Sequence, residues 1–544
     1  MKWLVFWWIA AGIVLLPLLD RSDVARTQEA RVLATAREML ERGGVRNLLV
    51  PHLNGEVRLQ KPPLAYWLTA ASFKTLGVSD FAGRLPAALA GWLTVGATFL
   101  IARRPFGDRA AALAAAALFG SFMIVHNGTL AETDVWVALF TTLAVGAIVR
   151  CFDGLTDAVE LGDAPPRRGR FVLWAHASAV AIGLLVLAKG PPAFFPLLFL
   201  LAMCAVRRRW GVLGRWALCG APLTALLIAA PWFVYIASLP EAKVVMSELG
   251  AAAAGAGHRA WFIVYFPQLL VATTPWTGVM VLALIAAVRV ARVDARVMMT
   301  LLWFAAVFLP LCIVGQKQPH YLMPALPPLA VLTGWLLDRA VRRATGEADA
   351  GDARIEGYER AAALVVFATL CVGVAAVVAL PVSGYVTRGR MTALDGVVGG
   401  LIGLGAGAGL WLLVRRGLAA ATAALAALAF PIVALVTLGW GPTLREPTYR
   451  DVAAALDVDA ASGESPPSYA FYVEPANLRL CWALRRVIPS QVTPEGAAVA
   501  LAGAAPPMLI TSTPRAPSPP PGYRERRRWE VGDRPVILYA PSRD

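Results

Sequence analysis

The chain has 544 residues, of which 58% are hydrophobic and 16% are charged, and its mean hydropathy is +0.62. An apolar excess of this size excludes an ordinary soluble globular protein and indicates a polytopic membrane protein. The net charge of +15 comes mostly from basic loops between apolar segments. Nucleic-acid binding would need a basic face on a soluble domain, so no nucleic-acid partner is predicted.

Thirteen apolar segments are long enough to cross a bilayer as helices, because a span needs about 17 to 25 residues. They lie near 3–19, 85–102, 109–126, 134–152, 171–188, 191–206, 215–236, 266–289, 298–314, 320–337, 360–381, 396–414 and 418–439. The two segments that flank Lys189 are also compatible with one broken element. No cleavage pattern follows the first segment, so we expect a retained helix.

Basic residues in short loops stay on the cytoplasmic side of a membrane, and loops such as "RRPFGDR" (103–109) therefore set the orientation. The long loop 20–84 and the tail 440–544 are then extracytoplasmic. We predict an all-α polytopic transmembrane domain over 1–439, which includes the loop 20–84. A small soluble α/β domain over 440–544 follows it.

The tail contains three short apolar stretches that are typical of buried strands: "SYAFYV" (468–473), "PMLITS" (507–512) and "PVILYA" (535–540). Helical propensity is highest at 474–487. The segment "PRAPSPPPGYRERRR" (514–528) is proline-rich and then basic, which favours a loop without regular structure.

Two amphipathic helices are predicted in the first loop, at 26–42 and 64–77. In the first, apolar residues repeat at helical spacing while charged residues occupy the other faces. A helix of this kind lies in the membrane interface, where it covers the helix bundle. Residues beneath it would meet a substrate that enters from the lipid.

Lys61 precedes two prolines, which restrict its backbone and so aim its ammonium group. At membrane depth this residue is suited to binding a phosphate. The alternative is that Lys61 only extends to the headgroups. Five further side chains are predicted on the same, extracytoplasmic side of the membrane: Lys189, Arg259, Lys317, His320 and Tyr321. Several hydrogen-bond donors on one side of the membrane suit an anionic lipid headgroup.

Glu132 and Asp134 stand at the start of a predicted span. Acidic residues there also serve as plain helix caps, because they offset the helix dipole. Asp134 and Glu29 are nevertheless predicted to share one side and one depth of the membrane. A pair of carboxylates at that boundary could perform acid–base chemistry on a sugar.

The ordered motifs "EAR", "AREML", "VPHLNG", "QKPPLAYWL", "FAGRLPAALAG", "TDVW", "AKGPP", "HRAWF" and "KQPHYLMPALPPLA" resemble those of the bacterial ArnT and protein O-mannosyltransferase family of GT-C glycosyltransferases. The resemblance covers residues 1 to about 340. It implies a GT-C fold in the bacterial inner membrane, with an active site that faces the periplasm.

The resemblance also implies an inverting transferase that takes a sugar from a polyprenyl-phosphate donor. Its ArnT branch transfers 4-amino-4-deoxyarabinose from undecaprenyl phosphate to lipid A phosphate, and its mannosyl branch modifies protein hydroxyls. Lipid and protein acceptors therefore both stay open, and oligomeric state is not predicted.

The sequence departs from the family pattern at two positions. Where the family has an Asp–Glu pair, this chain has Gln28 and Glu29, which leaves Glu29 and Asp134 as the candidate catalytic carboxylates. The usual acidic residue before Lys61 is Gln60, so no divalent metal and no other cofactor are predicted. Arg31, Gln28 and Gln60 are added as substrate-binding candidates because they fall within these motifs.

In the predicted mechanism, cations led by Lys61 and Arg259 stabilise the departing lipid phosphate. Glu29 or Asp134 accepts the proton of a hydroxyl acceptor, whereas a phosphate acceptor needs positioning alone. Two other classes remain. A transporter of lipid-linked sugars would need ionisable residues near the midplane of its helices, and a catalytically inactive relative would fit the missing Asp.

Overall fold

The structure is a computed structural model that describes residues 26–152, 168–242, 261–315, 317–347, 354–366 and 448–542, with gaps at 462–467, 491, 502–505, 514–517 and 532–533 and a few further isolated positions. The predicted spans at 3–19, 396–414 and 418–439 lie outside the described residues. So do most of the span at 360–381 and the candidate residue Arg259.

The chain divides into two compact units. The first, which we call the helical unit, comprises Met1–Pro17, Gln60–Leu64 and Ala87–Gly439; the second, which we call the loop–tail unit, comprises Leu18–Leu59, Ala65–Pro86 and Trp440–Asp544. The first loop was predicted to be part of the transmembrane domain. By its contacts, most of this loop groups with the tail, and the predicted domain boundaries stay a prediction.

The first loop folds largely as predicted. Its elements are helix α1 (Thr27–Arg42), helix α2 (Gly44–Leu49), the antiparallel strands β1 (His52–Leu53) and β2 (Glu56–Val57), and helix α3 (Leu64–Leu76). The helices predicted at 26–42 and 64–77 are confirmed to within a residue or two at each end. The short helix and the two-residue strands between them were not predicted.

Helix α1 buries three charged residues that the sequence pattern placed on its exposed faces, whereas Glu41 and Arg42 are exposed. Glu29, Arg37 and Glu38 are all buried. Glu38 accepts hydrogen bonds from the backbone N–H groups of Asn54 and Gly55, at 2.6 and 3.0 Å. Burial of a charge is costly unless a partner compensates it, and these hydrogen bonds compensate the burial of Glu38. Helix α1 therefore contributes to the interior of the loop–tail unit.

Apolar helices make up most of the described helical unit. They are α4 (Asp80–Phe119), whose first turn belongs to the loop–tail unit, α5 (Phe122–Gly128), α6 (Asp134–Cys151), α7 (Arg168–Lys189), α8 (Phe194–Val206), α9 (Trp210–Leu218), α10 (Ala221–Ala237), α11 (Tyr265–Ala272), α12 (Thr277–Val290), α13 (Ala295–Ile313) and α14 (Leu326–Ala344). Short 3₁₀ turns at Pro191–Ala193, Phe262–Val264 and Pro319–Ala325 precede α8, α11 and α14.

Four of these helices, α4, α6, α7 and α13, are long and apolar enough to cross a membrane, and the α9–α10 pair, bent by 54°, makes a fifth if it is counted as one span. The polytopic helical fold is thus confirmed, whereas the number thirteen stays a prediction. Two predicted spans, 85–102 and 109–126, lie on either side of a kink in α4. The backbone of Gly107 is not helical there, with a φ of 85°, so the helix is interrupted at this residue.

The tail forms a four-stranded sheet with the order β3–β4–β6–β5. Its elements are α15 (Tyr449–Ala461), β3 (Tyr469–Phe471), α16 (Leu478–Ala483), α17 (Pro494–Leu501), β4 (Met508–Thr511), β5 (Tyr523–Val531) and β6 (Arg534–Pro541). Strands β3 and β4 are parallel and the other pairs are antiparallel. Phe471, Leu480 and Leu538 are fully buried between the sheet and its helices.

The three predicted strands and the predicted helix of the tail are confirmed, but the basic segment 523–528 is not an unstructured loop. It belongs to β5, an edge strand that pairs with β6. Tyr523 and Trp529 anchor β5 through their buried rings, while the arginines between them are exposed. Charged residues on an edge strand oppose pairing with other chains. This accounts for the run of arginines in β5, where apolar and polar residues do not alternate.

Glu474 gives the tail a stability that depends on pH. Its carboxyl group is buried and accepts hydrogen bonds from the N–H and hydroxyl of Ser512, at 2.7 and 3.1 Å. Burial, which disfavours the charged form, raises its pKa to about 7. A raised pKa means that the folded state binds the proton more tightly than the unfolded state does. The resulting stabilisation of the folded state is fully present below about pH 4.5 and is lost as the pH rises through about 7.

We therefore expect the Glu474→Gln variant to match the parent protein at pH 5 and to exceed its stability by about 1 to 3 kcal/mol at pH 8. Thermal unfolding of the purified full chain in detergent at both pH values measures this difference. The exposed Glu530, replaced by Gln, is the matched control and should show no dependence on pH. Equal melting temperatures of Glu474→Gln and parent at pH 8 would contradict the assignment.

Candidate active site

Asp134 begins helix α6, where an apolar run follows a short polar segment. Its carboxylate is buried, with the side chain 6% exposed, and it accepts a hydrogen bond from Lys189 Nζ at 2.5 Å. The second carboxylate oxygen lies 3.4 Å from the hydroxyl of Thr133 and 3.6 Å from His320 Nε2. The helix dipole favours a negative charge at this end, and Asp134 also faces the side chains of Lys189 and His320.

Lys189 is the last residue of α7, which packs along α6. The chain turns away immediately after it at Gly190, whose φ of 77° suits glycine. The ammonium of Lys189 lies 3.6 Å from the centroid of the Tyr321 ring, a cation–π contact that desolvation strengthens. Asp134 and Tyr321 together thus fix the position of the Lys189 charge.

His320 and Tyr321 lie in the 3₁₀ turn Pro319–Ala325 that leads into α14. Their rings meet edge to face, with centroids 5.0 Å apart. Tyr265, at the start of α11, is fully buried and interacts electrostatically with Tyr321 and Asp134. Its hydroxyl accepts a hydrogen bond from the backbone N–H of Gln318 at 3.3 Å. Four segments that are distant in sequence therefore meet around Asp134.

Lys317 has a different environment from Lys189. Its buried ammonium donates to the carbonyls of Leu311, Cys312 and Val314, at 3.1, 2.8 and 2.6 Å. These carbonyls belong to the C-terminal end of α13, where a positive charge offsets the helix dipole. All three N–H donors of Lys317 are used inside the chain, which favours a structural role.

Lys61 and Gln60 belong to the helical unit; Lys61 is half-buried and Gln60 is exposed. Gln28 is also exposed, in the loop–tail unit, and accepts a hydrogen bond from Arg31 at 3.3 Å. In the described part of the chain, no group of three or more His, Cys, Asp or Glu side chains is arranged to hold a metal ion.

Glu29 is fully buried in the loop–tail unit and is bound by Arg84. The guanidinium donates two hydrogen bonds to the two carboxylate oxygens, at 2.7 and 3.2 Å, and a third to the carbonyl of Leu19 at 2.7 Å. Both side chains are at most 1% exposed. Both carboxylate oxygens of Glu29 are thus bound within the loop–tail unit by strong, charge-assisted hydrogen bonds, which favours a structural role.

Sequence reasoning missed Arg84 and Tyr265. A signal for Arg84 was present, because an arginine in the apolar motif "FAGRLPAALAG" needs a buried acidic partner. Tyr265 carried no such signal. It lies in an aromatic stretch, "WFIVYF", in which no residue stands out from its neighbours.

Comparisons with known proteins find similarity to glycosyltransferases. The family model described as dolichyl-phosphate-mannose-protein mannosyltransferase matches residues 33–241. An uncharacterized protein of Aquifex aeolicus is 29% identical over 56% of this chain and 58% of its own length. The undecaprenyl phosphate-alpha-4-amino-4-deoxy-L-arabinose arabinosyl transferase of Pseudomonas aeruginosa strain PAO1 is 31% identical over 61% of this chain and 59% of its own length. The chain thus matches less than two thirds of the length of these relatives.

A crystal structure of ArnT from Cupriavidus metallidurans bound to undecaprenyl phosphate is similar over nearly the whole chain. It has a TM-score of 0.77 at 21% identity, and the match covers 99% of this chain and 98% of that one. This likeness establishes the fold. The chain is a polytopic membrane protein with the fold of ArnT, and its resemblance to the ArnT and protein O-mannosyltransferase group of GT-C glycosyltransferases is confirmed.

Proposed function

We propose that this chain is an inner-membrane glycosyltransferase with its active site on the periplasmic side. It moves a sugar from a polyprenyl-phosphate donor to a lipid A-like lipid or another acceptor of the cell envelope. The observation that carries the proposal is the group formed by the buried Asp134 and His320 with the half-buried Lys189 and Tyr321, at the ends of apolar helices. Charged side chains at the ends of apolar helices suit the phosphate of a membrane-bound donor.

Lys189 binds the donor phosphate in this proposal. One of its three N–H donors is held by Asp134, and the side chain is 11% exposed. The bond from the anomeric carbon to the phosphate oxygen breaks during transfer, and negative charge accumulates on the departing lipid phosphate. A fixed cation in a site with little water stabilises this charge more in the transition state than in the ground state.

Asp134 supplies the carboxylate of the site. When the acceptor is a hydroxyl, its oxygen forms the new bond to the anomeric carbon on the face opposite to the leaving phosphate, which inverts that carbon. Asp134 takes the hydroxyl proton, and the lipid phosphate leaves with the bonding electrons. When the acceptor is already an ionised phosphate, no proton moves and Asp134 only orients Lys189.

The remaining candidates keep secondary roles in this proposal. Lys61 and Arg259 contribute further positive charge for the phosphate, and His320 and Tyr321 shape the site around Lys189. Glu29 acts through Arg84 rather than on the substrate, because its carboxylate is bound on both oxygens. Gln28 and Gln60 offer neutral amides to the substrate.

A transfer assay with the purified full chain in detergent tests the function. The donor is radiolabelled undecaprenyl-phosphate 4-amino-4-deoxyarabinose, with the mannosyl analogue in parallel, and lipid A is the acceptor. We expect label to appear in lipid A only when the enzyme and a donor are both present. Donor binding without transfer would indicate an inactive relative, and donor flipping in liposomes without transfer would indicate a transporter. Either result would reject the proposal.

A further inference from the structure

Two arginines of the loop–tail unit, Arg31 on α1 and Arg58 directly after β2, are placed so that their positive charges interact. Neither forms an ion pair with a carboxylate among the described residues. Tyr66, on α3, is buried nearby and accepts a hydrogen bond from Arg58 Nε at 3.2 Å. The three side chains make up what we call the arginine pair site.

The hydrogen-bond donors of Arg31 are largely unused within the protein. Nη1 donates to Gln28 at 3.3 Å, and Nε is buried without a hydrogen-bond partner. Burial lowers the pKa of Arg31, and the neighbouring Arg58 lowers it further. A guanidinium stays charged in proteins, so the unsatisfied charge of this site persists.

Other arginines of the same unit are matched with carboxylates. Arg84 pairs with Glu29, and Arg450 and Arg485 both pair with Asp80. Within its described residues, the fold thus gives each of these arginines a carboxylate contact, whereas Arg31 and Arg58 have none. Because like charges held together in a partly buried place are unfavourable, an anion from outside the chain is the natural complement.

We propose that Arg31 and Arg58, with the hydroxyl of Tyr66, bind a phosphate group of a lipid substrate. Guanidinium forks match phosphate oxygens in geometry and charge, and two of them suit a doubly charged monoester. The proposal rests on the proposed transfer function, since it names the chemistry of a group that the substrate carries. The phosphate belongs either to the polyprenyl phosphate carrier, which is a monoester once its sugar has left, or to the acceptor lipid.

Local sequence favours an anion at this site. Gln28 lies one helical turn before Arg31, where an acidic residue would form an ion pair with it. An amide at that position leaves the positive charge available. The variant Gln28→Glu therefore tests the site by adding a negative charge beside Arg31 at an exposed position, and it leaves both arginines in place.

Equilibrium binding to the purified full chain in detergent tests the proposal without requiring transfer. The probes are undecaprenyl phosphate, lipid A with its phosphates, and lipid A from which the phosphates have been removed. We expect the Arg31→Gln, Arg58→Gln double variant to bind one phosphate-bearing probe about 10 to 100 times more weakly. Gln28→Glu should weaken the same probe severalfold. Arg46→Gln, which removes an exposed charge from α2, is the control and should leave binding unchanged.

The arms of the experiment identify the source of the phosphate. A loss confined to phosphorylated lipid A assigns the site to the acceptor, and a loss confined to undecaprenyl phosphate assigns it to the polyprenyl phosphate carrier that remains after transfer. Unchanged affinity for both probes, with an unchanged melting temperature, overturns the site. A protein that binds as expected but transfers no sugar would retain the arginine pair site and reject only the proposed function.

Discussion

Replacing Lys189 with methionine is expected to slow sugar transfer by about 10²- to 10³-fold, since that is the usual cost of removing one fixed donor from a developing anion. Methionine keeps the length and apolar stem of lysine, and it can still contact the Tyr321 ring. The loss should appear mainly in kcat, because the charge on the phosphate grows as the bond breaks. Steady-state kinetics with labelled donor measure both constants.

Asp134→Asn should also lower kcat, since it removes the counter-ion that holds Lys189 in place. Because the two residues act through one contact, the double variant should be no more than about threefold slower than the slower single variant. Lys74→Met, at an exposed position of α3, removes the same charge elsewhere and should retain parental kinetics. A Lys189→Met enzyme that keeps more than about a tenth of the parental kcat would exclude Lys189 from the reaction.

Glu29→Gln is expected to destabilise the folded protein by about 3 to 5 kcal/mol, because it removes the buried carboxylate that accepts two hydrogen bonds from the Arg84 guanidinium. Arg84 is only 1% exposed, so water cannot readily replace the lost ion pair. The consequence is a large fall in the melting temperature of the full chain in detergent. Residual folded protein at low temperature should keep a substantial part of its kcat, since Glu29 does not act on the substrate in the proposed mechanism.

The control for this variant is Glu56→Gln, in the exposed β1–β2 turn region. It removes the same charge from the same loop and should change stability by no more than about 0.5 kcal/mol. A stable Glu29→Gln protein that has lost transfer would restore Glu29 to the role of catalytic base. Measuring both stability and kcat thus distinguishes a catalytic role of Glu29, which the sequence predicted, from a structural role as the partner of Arg84.

The grouping around Asp134 could be predicted because it follows from depth. Residues 134, 189 and 320 each stand where an apolar segment meets a polar one, and the orientation rule for basic loops brings those ends to the same side. Proximity along the membrane normal is therefore readable from sequence. Which of these neighbours touch is decided by helix packing, so the hydrogen bond from Lys189 to Asp134 and the separate role of Lys317 were not foreseen.

Glu29 shows the limit of periodicity. The spacing of apolar residues identified α1 correctly, but the pattern treats every charged residue as exposed. Glu29 and Glu38 escape that rule because partners far away in sequence compensate their burial. Strand β5 escaped prediction for a related reason, since its pairing with β6 does not require apolar alternation on both of its faces.

The loop–tail unit is assembled from the two ends of the described chain. Asn54 donates to the carbonyl of Ile488 and accepts from its N–H, at 2.8 and 2.9 Å, across 434 residues of sequence. At a synthesis rate of 5 to 20 residues per second, a ribosome needs about 20 to 90 s to supply the second partner after the first. Newly made copies must therefore protect α1 and its charged residues until the residues around Ile488 have been synthesised, because only then can this unit form its core.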